Sequence, residues 1–97
     1  PKIPDYAENN GHMFYILCNN LDERTRLISY LKEKGILAVF HYLPLHQSPY
    51  YKDKYKGPEL PNCERYANGL LRLPLYYELT DSEQQSIINA IYEFYDQ

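Results

Sequence analysis

Residues 40–46, Phe40-His41-Tyr42-Leu43-Pro44-Leu45-His46, are the densest group of chemically capable side chains in this 97-residue sequence. Two imidazoles and a phenol supply ring donors and acceptors, and imidazole changes charge near neutral pH. They stand at the end of an apolar run, Ile36-Leu37-Ala38-Val39-Phe40, that reads as a buried strand. Polar rings placed where a strand must stop can project past the sheet into a cleft. Pro44, between the two histidines, is what stops it.

Other chemistries find less support. His41 and His46, with Cys63 beyond them, have something of a zinc spacing, but Pro44 prevents one continuous helix from presenting both rings. No metal site is expected. His12 opens a strand and reads as an ordinary hydrogen-bonded histidine. Cys18 and Cys63 lie in apolar settings far apart in sequence, which predicts two buried, reduced thiols rather than a disulfide or a nucleophile. There is no Gly-x-Ser-x-Gly elbow and no glycine-rich phosphate cradle. A Schiff-base lysine needs a desolvated pocket to lower its pKa. The six lysines fall in a terminus, a helix end or a polar loop. Taken alone, the chain lacks a complete catalytic set.

The elements that must position the 40–46 segment can be read on either side of it. His12 to Cys18 is rich in strand formers, and Asn19-Asn20 ends it. Asn20 and Glu23 resemble a capping box, and Leu27, Ile28 and Leu31 form one apolar stripe, predicting a helix over 21–34 closed by Gly35. A strand over 36–42 follows, with Leu37, Val39 and His41 on one side and Ala38, Phe40 and Tyr42 on the other. From Pro44 to Pro61 the sequence is polar and rich in breakers. Cys63, Tyr66, Ala67 and Leu70 share helical spacing, and Leu70 to Leu75 reads as a third strand stopped by Pro74. Thr80 and Glu83 open a last helix whose inner face is Ile87, Ile88, Ile91 and Tyr95. The order β-α-β-loop-α-β-α predicts a small α+β domain, a three-stranded sheet with helices on one face. Strand directions stay open at this level.

Composition bounds the partners. With a net charge of −3, a pI near 5.5 and dispersed basic residues, there is no stripe to follow a phosphate backbone, so nucleic acid is disfavoured. No apolar run approaches the roughly 20 residues that span a bilayer. Twelve tyrosines beside three phenylalanines and no tryptophan suit a half-buried face turned to a polar ligand or another subunit, or equally a small tyrosine-rich core. A single domain over 1–97 is expected, with Pro1-Lys2-Ile3-Pro4-Asp5 as an extended lead-in to a piece cut from a longer protein.

Three stretches taken together carry a resemblance: His12-Met13-Phe14-Tyr15-Ile16, the 40–46 heptapeptide, and Leu70-Leu71-Arg72-Leu73-Pro74-Leu75. The chain resembles the C-terminal small domain of the DegT/DnrJ/EryC1/StrS sugar aminotransferases, from Pro4-Asp5-Tyr6 to the final helix. The resemblance implies a fold-type-I, pyridoxal phosphate-dependent enzyme that works in the cytoplasm as a homodimer. A large N-terminal domain, outside this chain, would hold the cofactor and its lysine, so no catalytic residue and no bound cofactor are expected here. The substrates implied are glutamate and a nucleotide-linked 4-keto-6-deoxy sugar. Carried over by position, the substrate-binding residues would be Tyr42, His41 and His46, with Tyr42 foremost. The reading from another class is a stand-alone α+β ligand-sensing or dimerisation module that uses its open sheet face.

Overall fold

The computed structural model describes residues 2–97. Its regular elements are β1 (Phe14–Leu17), α1 (Leu21–Glu33), α2 (Pro61–Gly69), β2 (Leu70–Leu73) and α3 (Asp81–Tyr95), with a short 3-10 turn at Leu45–Gln47. β1 and β2 pair antiparallel, with Phe14 opposite Leu73 and Ile16 opposite Leu71. The third strand expected over 36–42 joins this sheet at one residue pair, Val39 with Arg72. The two bonds of that bridge are Val39 N–H to Arg72 C=O at 3.1 Å and Arg72 N–H to Val39 C=O at 2.7 Å. The architecture is α+β.

One face of the sheet makes the core. Ile16, Leu71 and Leu73 meet Leu27 and Leu31 of α1 and Ala90, Ile91 and Phe94 of α3, with Cys18 and Ala38 filling between them. Alternation along 36–42 holds at its start, where Ala38 is buried and Leu37 and Val39 are exposed. On α3 the buried stripe runs through Ile87 and Ala90, whereas Tyr95 is half exposed with its hydroxyl bonded to Glu23.

The helix ends follow local chemistry. The Thr80–Glu83 capping box is complete: Glu83 N–H donates to Thr80 Oγ1 at 3.2 Å, and Thr80 N–H donates to Glu83 Oε2 at 2.9 Å. At α1, Asn20 Oδ1 accepts from Glu23 N–H at 2.9 Å, but the Glu23 carboxylate reaches back to Asn19, not Asn20. Its other oxygen accepts from the Tyr95 hydroxyl at 2.6 Å, so the first turn of α1 is tied to the last turn of α3. That hydroxyl, followed by the Asn19 amide, holds the Glu23 carboxyl below its ordinary range. Burial, then Glu23, pushes the Tyr95 phenol up. Gly35 ends α1 with φ +76°, a conformation that L side chains rarely adopt.

Candidate functional site

After the Val39 bridge, residues 40–44 make no regular structure, so the placement of His41 and Tyr42 depends on anchors to either side. On the near side the Phe40 ring lies beneath the Arg24 guanidinium, with 5.2 Å from Cζ to the ring centroid. On the far side Pro44 is buried and leads into the Leu45–Gln47 turn. His46 Nε2 lies 3.3 Å from Glu64 Oε1 on α2, and its ring packs against Tyr55 with centroids 5.4 Å apart. Gln47 Nε2 donates to the same Glu64 oxygen at 3.1 Å. The segment is clamped at both ends and free in its middle.

That middle is exposed. The His41 and Tyr42 rings meet edge to face, centroids 4.5 Å apart, and Tyr42 is 78% exposed. Both border a groove of about 280 Å³ whose opposite wall is Cys63, Tyr66 and Ala67 of α2 with Leu70 at the start of β2. The helical face read from the sequence is therefore real, but it walls a groove. Cys63 accordingly is exposed, a correction to the expectation of two buried thiols, while Cys18 is buried. Burial pushes the Cys18 thiol up, consistent with an inert thiol.

The structure thus brings His41 and Tyr42 together at the groove, and His46 holds the turn behind them with its side chain 12% exposed. The groove wall on α2 and the Arg24–Phe40 contact were not read as functional from the sequence. A periodic stripe signals burial of some kind, and an arginine on a helix reads as surface. A larger cleft of about 510 Å³ lies between the end of α1 and the start of α3, lined by Ile36, Leu37, Pro74, Leu75 and Ile87. Its carboxylate, Glu83, is already committed to the capping box, so the smaller groove is taken as the candidate site.

Among the described residues no three His, Cys, Asp or Glu side chains converge as a metal site would require. All six lysines are exposed, and Lys34 is paired with Glu93 at 2.6 Å, which raises its pKa rather than lowering it. A cofactor-bearing lysine needs the reverse.

The model of the DegT/DnrJ/EryC1/StrS aminotransferase family matches residues 1–92. The chain belongs to this family. A curated relative, the pleiotropic regulatory protein of Geobacillus stearothermophilus, is 35% identical over 94 residues, covering 95% of this chain and 25% of its own length. Among solved structures, the aminotransferase TlmJ from Streptoalloteichus hindustanus superposes with a TM-score of 0.86 at 26% identity, over 99% of this chain and 25% of its own. DesV of S. venezuelae, solved in complex with a ketimine intermediate, is 31% identical with a TM-score of 0.78, over 89% of this chain and 23% of its own. The chain therefore spans about a quarter of the length of the relatives it matches. A ketimine is a species of pyridoxal phosphate transamination, so the cofactor belongs to the family's chemistry.

Proposed function

We propose that this chain is the C-terminal small domain of a longer, homodimeric, cytoplasmic aminotransferase that uses pyridoxal phosphate. It moves an amino group from glutamate to a nucleotide-linked 4-keto-6-deoxy sugar, with dTDP-4-keto-6-deoxyglucose the first candidate. The enzyme it would most resemble is dTDP-4-amino-4,6-dideoxygalactose transaminase, with a product destined for cell-surface polysaccharide. The observation that carries this reading is the clamped segment of a sugar-aminotransferase-like domain offering two exposed rings, His41 and Tyr42, over a groove.

The cofactor supplies the electron sink that lets an amino group pass between donor and ketone. The roles of this chain are binding and orientation. Tyr42 offers a phenolic hydroxyl to a sugar or phosphate oxygen, and His41 a ring N–H beside it. His46 contributes by fixing the turn through Glu64 and Tyr55, so the two rings meet the substrate already oriented. The apolar wall of Tyr66, Ala67 and Leu70 suits the exocyclic C6 methyl of a 6-deoxy sugar, where a hydroxymethyl has become methyl.

The test is the full-length protein with pyridoxal phosphate, glutamate and a panel of dTDP-4-keto sugars, followed by mass spectrometry of the nucleotide products. A 4-amino-6-deoxy sugar nucleotide formed only with glutamate is the expected outcome. Amination of a different keto sugar would overturn the substrate named here. Amination of none would favour a regulatory role, the one carried in the name of the Geobacillus stearothermophilus relative.

A further inference from the structure

Arg24 sits on the first turns of α1, is 8% exposed, and pairs with no carboxylate within salt-bridge distance among the described residues. Its Nη1 donates to the carbonyl of Ala67 in the last turn of α2 at 2.6 Å, where the helix leaves carbonyls without partners. Its Nε is buried with no hydrogen-bond partner. Its guanidinium also lies over the Phe40 ring, centroid 5.2 Å from Cζ. A buried guanidinium with an unsatisfied donor is a costly group to retain for packing alone. A flat cation held at one edge by a helix end presents a fixed face, and an aromatic ring laid on that face takes its position from it.

We propose that Arg24 is a positioning residue for the substrate groove, acting through Phe40 on His41 and Tyr42. The chain between the Val39 bridge and Pro44 has no regular structure of its own, so the Phe40 ring is its near anchor. Ala67, to which Arg24 is bonded, is also part of the opposite groove wall. One side chain thus sets both walls: α2 through the Ala67 carbonyl, and the His41-Tyr42 wall through Phe40. As it concerns what the groove does, the proposal rests on the aminotransferase reading above; as it concerns geometry, it does not.

The experiment uses the full-length protein and two readouts. In the first, 3-fluorotyrosine replaces Tyr42 and its ¹⁹F resonance is recorded in wild type, Arg24→Met and Phe40→Leu. Arg24→Met keeps the aliphatic stem and removes the flat cation. Phe40→Leu leaves the Arg24–Ala67 bond in place, and since Phe40 is half exposed it serves should the first variant fail to fold. One narrow line in wild type, broadened or split in the variants, is expected. An unchanged line overturns the proposal, and this arm needs no catalysis. The second readout is a double-mutant cycle in the transamination assay with Tyr42→Phe. Arg24→Met alone is expected to lower kcat/KM about tenfold, and less than about twofold when Tyr42 is already phenylalanine. Losses that simply multiply would assign Arg24 to packing and overturn the proposal. A protein whose ¹⁹F line responds but which aminates no sugar would sink the functional reading and leave Arg24 in its positioning role.

Discussion

Tyr42 is the residue on which the functional reading turns. Its ring is largely exposed and makes its aromatic contact with His41, so removing the hydroxyl disturbs little packing. In the full-length enzyme Tyr42→Phe should lower kcat/KM roughly ten- to hundredfold, the worth of a hydrogen bond to a charged group at about 1.5–3 kcal/mol. Stability should change by less than about 1 kcal/mol. Steady-state kinetics beside a thermal melt decides it, and an unchanged kcat/KM would make Tyr42 structural. Tyr95 is the opposite case, since its hydroxyl serves the fold through Glu23. Tyr95→Phe should cost on the order of 1–2 kcal/mol at neutral pH, taken below the charged-bond maximum because half of the residue is exposed. The folded Glu23 carboxyl is held below its ordinary pKa, so its contribution is present above about pH 4.5 and is lost as pH falls through the folded value. Urea melts of wild type and Tyr95→Phe should therefore converge in acid; a gap that persists to pH 2 would contradict this coupling.

Among elements, the end of α2 and the end of β1 approach closely at one point. Cys18 N–H donates to the Gly69 carbonyl at 2.9 Å, and a Cβ built on Gly69 would stand 2.5 Å from the Cys18 carbonyl oxygen. Gly69 is not in the left-handed region, so the backbone itself would accept alanine. Two effects then compete in Gly69→Ala. Helix propensity favours alanine by about 1 kcal/mol, less than that at a helix end, whereas forcing a strand and helix apart costs about 1–3 kcal/mol. The obstacle is backbone, which cannot rotate away, so the steric cost wins. A net loss of about 1–2 kcal/mol in chemical denaturation is expected, and a more stable variant would refute the packing argument. The spacing of Cys63, Tyr66, Ala67 and Leu70 was enough to place α2. Whether its stripe faces core or groove was not legible, because periodicity reports a shared face and says nothing of what lies across from it.

For the whole molecule, many large apolar and aromatic side chains stand exposed among the described residues. Leu37, Leu43 and Leu45 are each more than two-thirds exposed, and Tyr77 is fully so. We expect these side chains to meet the remainder of the longer protein or its second subunit. Produced alone, residues 1–97 should self-associate across a concentration series in light scattering, and a clean monomer at high concentration would point to a self-contained module. Borohydride reduction of the isolated chain with pyridoxal phosphate should trap no stoichiometric adduct, because all six of its lysines are exposed. A single labelled lysine found by mass mapping would overturn that.

What the sequence determined by itself is local. Capping residues, Gly35 and apolar periodicity placed α1, α2 and α3, an aromatic and β-branched run placed β1, and a leucine-rich run stopped by Pro74 placed β2, since those signals act within a few residues of chain. The heptapeptide 40–46 was visible as a chemical segment for the same reason. Tertiary structure decided the antiparallel pairing, the shrinking of the 36–42 strand to one bridge at Val39, and the exposure of Cys63. It also decided that His46 turns to Glu64 while His41 and Tyr42 face the groove. These depend on which distant surfaces meet, and two histidines five residues apart carry no mark in sequence of which one α2 will claim.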